Sequence, residues 1–139
     1  MILLDSNVLS EFMRLQPDAR VLAWVDAQPA IDLVISSISV AEVLHGIARL
    51  AAGKRKQRLQ AQAMAMFEED FAGRILPFDA LAAVVYAELV AEREAGGRPP
   101  SVADAQIMAI AKAHGASIAT RNVRDFEQSG VLIINPWIA

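Results

Sequence analysis

Two kinds of apolar spacing take turns along the chain. Short unbroken apolar runs fall at Ile2–Leu4, at Leu33–Ser36 ("LVIS"), within 74–78 ("RILPF"), at 116–119 ("ASIA") and at 131–134 ("VLII"). Runs of this length, bounded by turn-forming residues, read as buried strands. Between them, apolar positions recur every three or four residues. Val8, Phe12 and Leu15 predict a helix over 7–15, with Ser6 as its N-cap. Pro17 stops that helix, Asp18 caps a second one through Asp26, and Pro29 ends it. Ser37 or Ser39 opens a helix through Ala52, closed by Gly53. The next helix, 54–71, carries the stripe Leu59, Ala63, Met66, Phe67 and Phe71, and Gly73 stops it. Asp79 caps a helix with Leu81, Val85 and Leu89 on its inner face, ending at Gly96 and Gly97. Ser101, with Asp104 three residues on, forms a variant of the capping box and starts a helix to His114 and Gly115. The stretch 95–101 is expected to be the most mobile loop.

Short apolar strands alternating with helices predict an α/β domain, with a mostly parallel sheet covered by helices on both faces. The 139 residues predict a single domain, 1–139, large enough to fold without a disulfide or structural metal. There is no cysteine, which excludes a disulfide framework and a thiolate zinc site and fits a reducing compartment. The hydrophobic share is 55%, but much of it is alanine, which suits helices. The longest uncharged apolar run, 80–87, is too short to span a bilayer. Asp5 arrives after three apolar residues, against a signal peptide. A cytoplasmic protein with no membrane contact is expected. The net charge of −3 argues against a broad basic face for nucleic acid. The one basic cluster, Lys54, Arg55, Lys56 and Arg58, reads as a solvated helix start.

In an open parallel sheet, ligands bind beyond the carboxyl ends of the strands. Asp5 ends the first strand, so it either delivers an acid to that edge or caps the following helix. Glu42, one turn into a helix that follows a strand, has the mixed helical neighbours Ile38, Ser39, His45, Gly46 and Arg49, and periodicity favours a solvated glutamate. Glu42 and His45 make one E-x-x-H pair, whereas di-iron bundles need two. Asp104 shares its helical side with Ile107, Met108 and Ala111, all apolar. It therefore caps its own helix, meets a cation, or meets another buried acid across a cation. Thr120, Arg121, Asn122 and Asp125 follow the "ASIA" strand, again at the ligand edge. There Asn122 also suits a helix N-cap, and Asp125 its first turn.

Carboxylates gathered at one edge repel each other, and holding them ionised and partly buried costs roughly several kcal/mol per charge without a partner. A hard divalent cation relieves this. Magnesium takes oxygen ligands and keeps waters, and such a site can activate water against a phosphodiester.

The segments "ILLDSNVLSE", "SSISVAEVLHG", "SVADAQIMAIAKAHG" and "IATRNVRDFEQSGVLIINPW" follow one another in an order that resembles PIN-domain proteins, and more narrowly the VapC/FitB-like toxins of type II toxin–antitoxin pairs. The resemblance covers nearly the whole chain. It implies a three-layer, Rossmann-like sandwich with a short-stranded parallel sheet, and an endoribonuclease dependent on Mg2+ or Mn2+. It implies that Asp5, Glu42 and Asp104 are the metal-binding and catalytic acids, and that Asn7 orients Asp5. Asn122 stands where some members carry aspartate, so one firmly held cation is expected, with Asp125 contributing through a water. The mechanism implied has Asp5 and Asp104 on the cation and Glu42 acting through water. Thr120, Arg121 and Asn122 then position the scissile phosphate, and the products carry a 5′-phosphate and a 3′-hydroxyl. The resemblance further implies a homodimer, an RNA substrate, and a small DNA-binding antitoxin as partner, with DNA reached only through it.

Two rivals stand beside this. A non-catalytic binding module would use the acidic groove to receive a partner's arginines. "ILLDSN" also resembles the strand-ending aspartate of haloacid-dehalogenase-type phosphatases, but these need a second acid where Asn7 stands, and an amide is no general acid.

Overall fold

The computed structural model describes all 139 residues. Five parallel strands make one sheet: β1 (Ile2–Leu4), β2 (Leu33–Ser36), β3 (Ile75–Leu76), β4 (Ser117–Ala119) and β5 (Ile133–Ile134). Their order is β3-β2-β1-β4-β5, with Leu3 opposite both Val34 and Ile118. The chain winds outward from β1 through β2 to β3, then crosses back to lay β4 on the other side of β1. The order thus reverses between β1 and β4, and the carboxyl ends of these two strands flank the crevice where α/β sheets bind ligands.

Side chains alternate across each strand, and the two faces of the sheet hold separate cores. Leu4, Leu33, Ile35 and Ala119 point into one, where they meet Val8, Leu9, Val43, Ile47, Met66, Phe67 and Trp137. That face is covered by α1 (Ser6–Phe12), α2 (Ala19–Asp26), α3 (Ser37–Ala48) and α4 (Lys54–Ala65). Leu3, Val34 and Ile118 point into the other, against Ala82, Leu89, Ile107, Met108, Ile110 and Phe126. These last six come from α5 (Ala80–Ala95), α6 (Val102–Ala113) and α7 (Val123–Phe126). The expected three-layer α/β sandwich is the observed architecture. No helix is long and apolar enough to cross a membrane.

Several predicted boundaries move, each for a local reason. Asp5, not Ser6, caps α1, because its carboxylate accepts from the Ser6 N–H. The helix ends at Phe12, short of Leu15, which is left exposed. Ser36 caps α3 through the Ser39 N–H, and that helix stops at Ala48. The stripe on 54–71 is inward as expected, but the last turn, Met66–Asp70, widens to a π-helix before Phe71. On α5 Leu89 is buried as predicted and Val85 half-buried, but Leu81 faces solvent and Ala82, with Arg93 further on, joins the buried face instead. Asp18, Asp79 and Ser101 cap α2, α5 and α6 as predicted. Trp137 is core, and Trp24 packs against it from the edge. The 95–101 loop is tied down rather than free: the Arg98 N–H donates to Arg93 O at 2.8 Å and its guanidinium to Arg124 O at 2.8 Å.

Candidate active site

Asp5 has both of the roles left open by its position. It follows β1 directly, and its N–H still donates to Ala119 O of β4 at 2.9 Å, so the sheet fixes its backbone. One carboxylate oxygen, Oδ1, accepts from the Ser6 N–H at 2.8 Å and starts α1. The other, Oδ2, accepts from the Thr120 hydroxyl at 2.8 Å and from Asn7 Nδ2 at 3.4 Å. Asp5 is 4% exposed. Burial is the main reason its carboxyl is pushed above the ordinary range. The hydrogen bonds from Thr120 and Ser6 pull the other way, and the charge of Asp125 adds to the rise.

Thr120 is the hub of this network. Its hydroxyl donates to Asp5 and accepts from Asn7 Nδ2 at 3.1 Å and from the Asn122 N–H at 3.0 Å. It is 0% exposed, so the expectation that it touches a scissile phosphate is corrected: its side chain holds Asp5 and the start of the β4–α7 loop. Asn7 carries the network onward, since its Oδ1 accepts from the Arg121 N–H at 3.4 Å. Arg121 itself is exposed and lies over the Trp137 ring, 5.1 Å from its centre. Arg121 and Asn122 line a small cleft with Ser6, Asn7, Ser10 and Arg14. Asn122 occupies the N-cap position of α7 without making a side-chain cap bond.

Glu42 and Asp104 approach from opposite helices. Glu42 is exposed on α3, yet its carboxyl is raised, first by desolvation and then by the charges of Asp5 and Asp104, with the Ser6 hydroxyl in partial opposition. Periodicity favoured a solvated glutamate; the fold places this one in the field of two other acids. Asp104 is half-buried at the first turn of α6, and the Ser101 hydroxyl accepts from its N–H at 3.2 Å. Its carboxyl is raised chiefly by desolvation, further by Asp5 and Asp125, and lowered by Ser101 and Arg93. Asp104 and Asp125 share a cleft of about 430 Å3 with Arg93, Arg98, Ser101 and Arg124. Four acids from four separate elements thus act on one another at the crevice between β1 and β4. No three His, Asp or Glu side chains stand close enough to clasp one ion directly. The expected arrangement, with Asp5 and Asp104 on the cation and Glu42 acting through water, asks for no closed three-acid clasp, and the acids present a loose centre.

A model of the PIN domain matches residues 2–131. The chain belongs to the PIN-domain family. Similar proteins include the VapC ribonuclease Y4jK of Sinorhizobium fredii, 45% identical over 137 residues that cover 99% of this chain and 98% of that one. The toxin FitB of Neisseria gonorrhoeae is 42% identical, covering 99% of each. Among solved structures, FitAcB from Neisseria gonorrhoeae superposes with a TM-score of 0.93 over 100% of both chains. FitAB bound to an IR36 DNA fragment gives 0.92 over 99% of this chain and 96% of that one. Both are 42% identical to this PIN domain. Its Asn7 donates its amide to Asp5, a role that leaves no second acid for phosphatase chemistry.

Two residues escaped the sequence reading. Arg93 is buried at the end of α5, and Glu11 is buried under Arg14, whose guanidinium it accepts at 3.3 Å, along with the Asp18 N–H at 3.2 Å. The signal for Arg93 was its spacing, four residues after Leu89 and eleven after Ala82 on the apolar face. Glu11 gives no such sign, because three residues before Arg14 is also where a surface ion pair would place it.

Proposed function

We propose that this PIN-domain chain is an endoribonuclease, the toxin of a type II toxin–antitoxin pair, working with Mg2+ or Mn2+ in the cytoplasm. The observation that carries the reading is the gathering of Asp5, Glu42, Asp104 and Asp125 at the sheet's switch point, where Asp5 and Asp104 help raise Glu42, Asp5 and Asp125 help raise Asp104, and Asp125 helps raise Asp5. The ribonuclease and toxin names of relatives near 45% identity support it.

The donor set suits a hard cation: every candidate ligand is oxygen. Its looseness suits one that keeps part of its water and takes only one or two carboxylates directly. Asp5 and Asp104 are the groups that would hold it, with Glu42 and Asp125 reaching it through water. Bound there, the ion supplies charge for the phosphodiester's developing negative charge and lowers the pKa of a nucleophilic water. The chain's own residues do the rest. Thr120, Ser6 and Asn7 fix both oxygens of Asp5, so that acid enters the reaction already oriented. Glu42, exposed and with its carboxyl raised above the ordinary range, is suited to take a proton from an attacking water. Arg121 and Asn122, exposed beside Asn7, are suited to hold the phosphate. Attack in line leaves a 5′-phosphate and a 3′-hydroxyl.

The FitAB complex on DNA supports a small DNA-binding antitoxin as partner, with DNA reached through it; a homodimer as the working unit belongs to the same proposal. Incubation with defined RNAs, with Mg2+ and with EDTA, tests the activity. Chelator-sensitive cleavage with 5′-phosphate ends is expected, and Asp5→Asn abolishes it by roughly 100-fold or more while leaving the fold intact. Cutting by that variant at the parent's rate overturns the assignment. A folded chain that binds no Mg2+ and cuts no RNA would instead be a binding module.

A further inference from the structure

Arg93 is the only buried cation in the molecule, 6% exposed, and it forms no ion pair with a carboxylate. A buried guanidinium is ordinarily paired with an acid. This one spends its donors on the backbone of two loops. Nε donates to Arg98 O at 2.9 Å, on the loop that leads into α6. Nη1 donates to Glu127 O at 2.7 Å, and both Nη1 and Nη2 reach Asp125 O at 3.4 Å, on α7 and its exit. The reverse bond from the Arg98 N–H to Arg93 O, 2.8 Å, closes the first loop. Gly97, at φ +74°, makes the turn that this closure needs and that other side chains resist. Arg98 repeats the link from the other side through Arg124 O. The two loops joined in this way lead to two of the acids: Asp104 lies three residues after Ser101, and Asp125 lies within the clamped segment itself.

We propose that Arg93 is a positioning residue that staples the α5–α6 loop to α7 and so sets Asp104 and Asp125 at a fixed separation across their shared cleft. The inference rests on the nuclease reading above for its catalytic consequence, though not for the staple itself. The planar fork is what matters: an ammonium supplies charge at the same place but does not span three carbonyls on two segments.

Arg93→Met and Arg93→Lys test this. Both variants are expected to lose amide hydrogen-exchange protection selectively over residues 97–104 and 123–127. The Mg2+ midpoint for binding, read by amide shifts, is expected to move upward, and cleavage by each to fall by roughly 10–100-fold. Lysine restores none of these. Full restoration by lysine overturns the staple in favour of simple charge. Unchanged exchange in the two segments overturns it outright. A uniform loss of protection with an unmoved Mg2+ midpoint and unchanged cleavage per folded molecule shows a merely structural arginine and also overturns it. Should both variants fail to fold, the parent decides. Slowly exchanging Arg93 guanidinium protons, with couplings across hydrogen bonds to the carbonyls of Asp125 and Glu127, support the staple; a freely exchanging, rotating guanidinium refutes it. Should the parent cut no RNA with any divalent ion, the nuclease reading falls while the exchange measurements still decide the staple.

Discussion

Thr120 shows how much one hydroxyl can organise. It satisfies Asp5, Asn7 and the Asn122 N–H at once, inside the protein. Thr120→Val keeps the shape and leaves those groups without their partner, so a loss of about 1.5–3 kcal/mol is expected from chemical denaturation. Cleavage is expected to drop roughly 10–100-fold, as for other groups that orient a metal-binding acid. Asp104 allows a pH prediction. Its folded pKa lies above the ordinary value of 3.8, which the unfolded chain retains. Between the two values the folded state binds more protons than the unfolded one, so stability falls as pH rises through that window and the penalty is complete above it. In EDTA, Asp104→Asn is therefore expected to melt higher relative to the parent at about pH 7 than at about pH 3.5, where the parent's acid is already protonated. Melting curves at the two pH values with an identical offset would contradict this. Asp18 runs the opposite way: its hydrogen bond from Arg20 holds it down to about 2, and it lies outside the site.

Among the elements, α5 separates what periodicity reveals from what it misses. The helix, its Asp79 cap and its glycine end follow from sequence alone, because caps and stops are local chemistry. Its first turn does not. With alanine at so many positions, Leu81 and Ala82 compete for the inner face, and the fold buries the alanine. Leu89→Ala is expected to cost about 2–5 kcal/mol, and Leu81→Ala less than about 1 kcal/mol. Equal losses in urea titrations would put the stripe back where the sequence alone places it. The acids divide in the same manner. Asp5 and Asp104 were legible because strand end and apolar helical neighbours marked them. Glu42 was not legible from periodicity, since only the packing of α3 against α1 and α6 brings it near Asp5 and Asp104. Arg93's burial could be read from its spacing with Ala82 and Leu89, but its partners are backbone carbonyls, which no side-chain pattern announces.

At the scale of the whole molecule, a negatively charged protein holds repelling carboxylates at its central crevice. Any ion that binds the folded form alone raises its stability by RT ln(1 + [L]/Kd), about 2.7 kcal/mol at a hundredfold excess over Kd. Millimolar Mg2+ is therefore expected to raise the melting temperature of the parent and to have little effect on Asp5→Asn. A shift of equal size in both would place the ion elsewhere. The sheet order itself has a temporal consequence. The strand made first lies between β2 and β4, and β4 is the fourth to be made. Thr120, which locks Asp5, comes directly after β4. A ribosome that stalls before this segment emerges releases a chain whose opening aspartate has no lock and whose central strand has one bare flank. Such fragments are expected to be inert towards RNA in a cleavage assay, so any cutting waits until β4 and Thr120 have been made.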